Sequence, residues 1–495
     1  MRNRMRIYAA LLAILILAGS VFSCSDTGME SPAEQTTGET APVTEAVSTS
    51  ELEGRKLIPD NLPETDFEGR GFRIYTRESY LYEVYTEEED GEIINDALFA
   101  RNRSVEERFN TSIKAVTTAE DSNASINSLV KTVSAGDNAY DLSSTIVYTS
   151  GAVITNGIYL NILSVPYIDL SREWWINGIN DKFRIEDSVY TVVGDMCIST
   201  LRLTYAIYYN KRLGKNYMMP DLYQEVRDNK WTIDRMIALT TDVYSDINGD
   251  GIRDSGDEYG FAGETATNLD VYTFAFDIPI ISRGDTGLPV LALNTPKTLE
   301  AVDKINTLYW STGGSYICEQ GEWGNEIGMF KNGSAMFATT WLGQMFGTFR
   351  EMDDDYGVLP YPKWDESQEK YLTGSMDNYS VLGIPKTATD VEFVGIITEA
   401  LNSESYKQLF PVYFEQALQT KYARDEGTIE MLEILMEGRN FDMVTLFSSQ
   451  ISGMPWLIRE LVAKKSTDFA SSYAKNETAA QNGLDKVIEA YLENA

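Results

Sequence analysis

Between residues 72 and 147 the chain reads FRIY (72–75), EIINDALFARNRSVEERF (92–109), TSIKAV (111–116), INSLVKTV (126–133) and YDLSSTIV (140–147). The first, third and fifth pieces are short runs rich in β-branched, aromatic and other apolar residues, suited to a pleated, half-buried surface. The second sets Ile94, Leu98, Val105 and Phe109 on one helical face, opposite Arg101, Arg103 and Glu106, and the fourth is a shorter helix. Strand, helix, strand, helix, strand predicts parallel pairing through right-handed crossovers, an α/β architecture. Ligands on such sheets sit beyond the strands' carboxyl ends, which puts the loop after Val147, and with it Tyr148, beside a site.

Further along, Tyr190 to Gly194 and Thr204 to Asn210 are strand-like. Helices are predicted over Ile233 to Tyr244, Leu299 to Trp310, Phe393 to Leu409 and Ala479 to Leu492. There is no internal repeat. The body from about Phe67 to Ala495 suits two domains of roughly 100–200 residues each.

Composition narrows the chemistry. Formal charge is −34, a field that repels nucleic acid and anionic membrane. The chain has no histidine, which removes Ser-His-Asp and Cys-His catalysis and histidine zinc sites. Paired carboxylates survive, but among 75 acidic residues a pair decides nothing. The balance leans against an enzyme. Cys197 and Cys318 are too few for a disulfide framework; they read as buried free thiols, with a pairing of the two left open.

The amino terminus is an address. Arg2, Arg4 and Arg6 precede the apolar run Ile7 to Ala18 and then Val21-Phe22-Ser23-Cys24. Residues 1–23 read as an export signal, too short in its apolar part to span a bilayer. The V-F-S-C run resembles a bacterial lipobox, in which Cys24 receives a diacylglyceryl group; two acyl chains anchor stably where one does not. The alternative is an ordinary secreted leader with an incidental Cys24. Residues 24–66 read as a Ser/Thr/Glu-rich stalk, too poor in apolar surface to offset its ordering entropy. A lipid-anchored protein on the extracellular face of the cell membrane is expected.

The run Asp246-Ile-Asn248-Gly-Asp250-Gly251-Ile252-Arg-Asp254-Ser-Gly-Asp257-Glu258 has the oxygen spacing of an EF-hand-type calcium loop. Asp246, Asn248, Asp250 and Asp257 would bind Ca2+ by side chain, Ile252 by its carbonyl and Asp254 through water. Arg253 replaces the usual branched apolar residue, and the last ligand is aspartate instead of glutamate. With no second loop to pair with, the expected role is structural. A solvated acidic turn is the alternative.

Several segments together resemble the family 1 extracellular solute-binding proteins of ABC transporters, the group of the maltose-binding proteins. They include Asn95-Asp-Ala97, Arg101-Asn-Arg103-Ser-Val-Glu-Glu-Arg108, Tyr140-Asp-Leu142, Tyr208-Tyr-Asn-Lys211, Lys230-Trp-Thr-Ile-Asp234 and Tyr259-Gly-Phe261. Phe330-Lys-Asn-Gly-Ser-Ala-Met336, Tyr356-Gly-Val-Leu-Pro-Tyr-Pro362 and Leu382-Gly-Ile-Pro-Lys386 complete the set. The resemblance implies a two-lobed, periplasmic-binding-protein-like (type II) α/β fold with hinge strands and an interlobe cleft. By analogy residues 67–198 and 376–423 form lobe one, and residues 199–375 and 424–495 form lobe two. It further implies a monomer that closes on a small molecule and delivers it to an ABC permease, without catalysis.

A sugar ligand needs aromatic plates and hydrogen-bonding side chains. The candidates are Tyr148, Trp174, Trp175, Trp341 and Trp456, with Asp195, Arg202, Asp377 and Asn378; Trp231 and Trp310 read as structural. A peptide or polyamine ligand stays open. The rival classes are a surface glycoside hydrolase with carboxylates about 5–9.5 Å apart and a carbohydrate adhesin.

Overall fold

A computed structural model of the chain describes residues 54–494. The export signal, Cys24 and most of the predicted stalk lie outside these described residues. In the first lobe β1 (Arg70–Arg77) pairs in parallel with β2 (Thr111–Thr118) along its whole length and with β3 (Leu142–Ile146) on its other side. Helix Ile93–Phe109 makes the first crossover. Glu92 starts it by accepting from the Ile94 amide, and Asn110, at φ 44°, ends it in the left-handed conformation asparagine tolerates. Helix Ser122–Ser134 makes the second, with Asp121 accepting from the Ala124 amide at 2.8 Å.

The second lobe is built on β4 (Tyr205–Asn210), β5 (Tyr244–Ser245), β6 (Glu258–Glu264), β9 (Ser315–Cys318), β10 (Ala335–Trp341) and β11 (Tyr356–Leu359), with a separate ribbon of β7 (Ile281–Arg283) and β8 (Pro289–Leu291). Its sheet order is β11-β4-β10-β6-β5, with β9 also on β6. β4 runs antiparallel to β10 and β11, and β6 parallel to β10 and β9. Both faces are covered. Tyr205 and Ile207 enter one core with Phe261 and Phe337, while Ala206 and Tyr208 enter another with Phe330, Phe349 and Val358. The chain then returns: β12 (Ser380–Gly383) lies antiparallel to β3 at the edge of the first sheet. The first lobe's own core centres on Phe72, Ile74, Leu142, Val381 and Phe393.

Hinge segments join the lobes. The Tyr205 amide donates to Gly374 O at 3.0 Å and the Met376 amide to Leu203 O at 2.9 Å. Thr373 in turn donates to Gly438 O at 2.9 Å and accepts from the Asn440 amide at 2.7 Å. Cys197 and Cys318 are buried and unpaired. No helix among the described residues is long and apolar enough to cross a membrane.

The structure departs from the sequence reading in several places. Tyr190 to Gly194 forms isolated bridges, Val192 with Leu382 and Gly194 with Trp175, in place of a strand. The helix from Ile233 ends at Thr240, because Asp242 at φ 60° turns the chain so that Tyr244 can enter β5. The last helix, Phe469–Glu493, begins ten residues before its predicted start at Ala479. Assigning residues 424–495 to the second lobe needs correction. Phe441, Met443, Leu446, Phe447, Val487 and Tyr491 pack in the first lobe's core, whereas Tyr473, Ala480 and Leu484 pack in the second's. The carboxyl-terminal helix therefore straddles both lobes.

Tyr491 shows how firmly its end is held. The ring is fully buried between Tyr190 and Phe447, at centroid distances of 5.0 and 5.9 Å, and its hydroxyl donates to Phe183 O at 2.9 Å. Tyr491→Ala is expected to lower unfolding free energy by about 3–5 kcal/mol. Tyr491→Phe, losing only the hydrogen bond, is expected to lower it by about 1–2 kcal/mol; urea titrations of the two variants check this ordering.

Candidate functional site

The lobes face each other across a pocket lined by Thr267, Asp270, Phe274, Ile280, Ser375, Asp377, Val444, Thr445, Ser448, Pro455 and Trp456. Thr267, Asp270 and Phe274 come from helix Thr267–Ala275, where spacings of three and four residues align side chains on one face. Gly374 lets Phe274 sit against the hinge, since a Cβ there would lie 2.6 Å from its ring. Asp377 follows the hinge strand. Trp456 stands in the short turn Met454–Trp456 just before helix Leu457–Ala463, which carries Arg459.

Arg459 is the electrostatic centre. It pairs with Asp270 at 3.0 Å and lies 5.4 Å from the Trp456 ring centre. Burial pushes the Asp270 carboxyl up to about 8, although Arg459 pulls it down and the Asp377 charge adds a smaller upward push. Burial also raises Asp377, against the pull of Arg459 and a hydrogen bond from the Trp456 side chain. Glu264, at the end of β6, is pushed up to about 8 by burial and the neighbouring charge of Glu326, with Arg459 opposing. Asp270 Oδ1 and Asn378 Oδ1 are buried with no hydrogen-bond partner.

Aromatic rings frame the same space. Trp341 ends β10 and stands edge-on to Tyr205 at 6.3 Å, and the Tyr205 hydroxyl lies 2.7 Å from Thr267 Oγ1. From the first lobe, the Tyr148 amide donates to Asp377 O at 3.3 Å and the Tyr80 hydroxyl to Asn378 O at 2.5 Å. Two of the nine predicted ligand residues, Asp377 and Trp456, thus line one pocket, with Tyr148 and Asn378 joined to its rim and Trp341 near it through Tyr205.

The other four are placed elsewhere. Trp174 and Trp175, at 0% and 2% exposure, are core residues and not cleft plates. Their indoles donate to the two oxygens of Glu399 at 2.9 and 3.0 Å, so this buried acid draws both rings inward. Arg202 lies over the Tyr82 ring at 4.4 Å in a different interlobe cavity, of about 310 Å³. Asp195 is pushed up to about 7 by burial, with Arg439 as its main opposing charge, and does not line the pocket. Trp231 and Trp310 are structural, donating to Pro360 O at 2.9 Å and Val462 O at 2.8 Å.

Asp270, Phe274 and Arg459 escaped the sequence reading. Arg459 carried a signal: it follows Trp456 by three residues, the interval that aligns side chains on a helix. The pocket itself measures about 20 Å³, room for a single water. Phe274 also lines a neighbouring cavity of about 280 Å³, with Lys182, Arg283 and Asp442 on its walls.

No family model matches the sequence, and no curated protein matches it. Solved structures do share the fold. UgpB from Mycobacterium tuberculosis, in complex with glycerophosphocholine, is 14% identical over 85% of this chain and 99% of its own, at a TM-score of 0.52. An ABC transporter solute-binding protein from Thermotoga lettingae bound with alpha-D-tagatose is 13% identical over 85% and 100%, at 0.53. The galacto-N-biose-/lacto-N-biose I-binding protein of the Bifidobacterium longum ABC transporter, in complex with lacto-N-biose, is 11% identical over 85% and 98%, at 0.55. The chain has the two-lobed, type II periplasmic-binding-protein-like α/β fold with an interlobe cleft.

The buried acids set a pH dependence. Asp270 titrates near 8 in the folded protein and near 3.8 otherwise, so between those values the folded state binds more protons. Stability must then fall as pH rises through that window. We expect the melting temperature to decline between about pH 5 and pH 8. In Asp270→Asn the decline should be shallower, as differential scanning calorimetry across that range will read.

Proposed function

We propose that this protein captures a carbohydrate, preferentially an oligosaccharide, by lobe closure outside the cell and delivers it to an ABC transporter permease. One observation carries the reading: Trp456, Asp270, Asp377 and Arg459 meet between two lobes, with buried acceptor oxygens left unpartnered. Ligand hydroxyls donating to Asp270 Oδ1 and Asn378 Oδ1 would satisfy them, and a sugar's C–H face would lie on the Trp456 ring. The solved structures holding alpha-D-tagatose and lacto-N-biose support a sugar, and the cavity beyond Phe274 supports more than one ring.

A pocket of about 20 Å³ admits no sugar, so the ligand enters a more open form. Closure is then a shift in population set by the ligand's greater affinity for the closed state. Micromolar affinity, about −8 kcal/mol, allows both capture and release. The leader and Cys24 support a lipid anchor; Cys24→Ala is expected to release the protein into the medium, as cell fractionation will read.

The binding reading is tested by calorimetry and thermal shift over mono- and oligosaccharides, with glycerophosphocholine, spermidine and a tripeptide as comparators. A sugar is expected to raise the melting temperature and reduce the radius of gyration in X-ray scattering. Trp456→Ala should weaken binding at least tenfold, while Trp175→Phe should leave the affinity unchanged. New reducing ends would replace this reading with a glycoside hydrolase, and binding to polymer without contraction would replace it with an adhesin.

A further inference from the structure

The acidic loop between β5 and β6 is not used by the cleft. Tyr244 pairs with Tyr259 and Ser245 with Glu258, so the twelve residues 246–257 form one closed connection. Gly249 and Gly251, at φ 74° and 71°, give the sharp turns. Asp246 accepts from the Gly249 and Gly251 amides at 2.7 and 2.9 Å, and Asp250 from the Ile252 amide at 2.7 Å. As placed, the acidic side chains are engaged with the loop's own amides, and among the described residues no three acids are grouped as a metal site. Ligation therefore requires side-chain rotation within the exposed turn.

What points to a cation is Asp257. Its side chain is fully buried, at 0% exposure. Oδ2 accepts from the Tyr244 hydroxyl at 2.9 Å and from the loop's own Asp254 amide at 3.4 Å, while Oδ1 has no partner. An unpartnered buried carboxylate oxygen is costly unless a ligand reaches it. Arg253, the loop's own cation, is engaged outside: it stacks at 3.9 Å on the Tyr244 ring and donates to Gly313 O. Four aspartates thus share the loop, one of them buried, and its arginine is spent elsewhere.

We propose that this loop binds one calcium ion through Asp246, Asn248, Asp250 and Asp257, with the Ile252 carbonyl and a water on Asp254 completing an oxygen shell of the size calcium prefers. The bound ion pins the β5–β6 connection at one end of β6. The cleft lies towards the other end, where Glu264 feels the charge of Arg459. Seven residues of strand separate them, about 20 Å. Calcium acts on the second lobe's stability and not on ligand contacts.

The test uses the full folded chain stripped with a chelator, and calcium chloride alone as the probe. Equilibrium dialysis should show one ion per chain, with a dissociation constant in the range of extracellular modules, about 0.1–1 mM. The melting temperature should rise with calcium and not with equal magnesium. Asp250→Asn, at an exposed position, should weaken uptake at least tenfold and abolish the shift; Asp257→Asn should do the same where it folds. No uptake by the wild-type chain, equal response to magnesium, or unchanged uptake in Asp250→Asn overturns the proposal. None of these outcomes touches the cleft, so a failure here leaves the sugar reading standing.

Discussion

The two lobes depend on a narrow strip of backbone hydrogen bonds where the hinge segments lie side by side. Leu203 to Tyr205 is held to Gly374 to Met376, and Thr373 to Gly438 and Asn440. Buried side chains lock the strip from within. Glu83, from the short helix Leu81–Val84 that follows β1, accepts from the Ser199 amide at 2.8 Å and from the Ser380 hydroxyl. The Ser380 amide donates to Ser199 Oγ at 2.9 Å. Burial pushes Glu83 up to about 7, and these hydrogen bonds oppose that push. One acid therefore joins this helix, Ser199 before the hinge strip, and β12, and the first lobe's edge cannot shift without breaking its bonds.

The cleft follows from where that strip puts its neighbours. Ser375 lies within the hinge strip and Asp377 directly follows it, so the pocket floor is hinge. Arg459 faces Asp270 across an ion pair and feels Asp377 as well. Arg459 opposes the burial that raises both acids, without outweighing it. A cationic ligand would compete with Arg459, whereas neutral hydroxyls complement what it leaves free.

Much of the fold was legible because it rests on local pattern. The residues from Phe72 to Val147 declare strand and helix through spacing alone, and parallel pairing follows from the crossovers. Of the candidates, Trp456 and Asp377 line the pocket. Trp174 and Trp175 were misplaced because their direction is set by Glu399, more than 220 residues away, whose two oxygens take both indoles. No window of sequence contains that fact. Asp270 was invisible for a similar reason: nothing in its own helix separates it from the chain's other acids until Arg459 is folded against it.

The carboxyl-terminal helix would constrain the proposed lobe closure. Leu484 belongs to the second core and Val487 to the first, three residues apart on one rigid element. A helix rises only about 1.5 Å per residue, so the two cores meet within about a turn of it. Lobes that opened widely at this point would have to pull one of these side chains out of a close-packed interior, which is costly. Opening is far cheaper if the axis runs close to this crossing and the hinge strip, so that displacement there is small. The helix thereby acts as a second tie beside the hinge, and it favours rotation about one edge over separation of the lobes along the whole cleft.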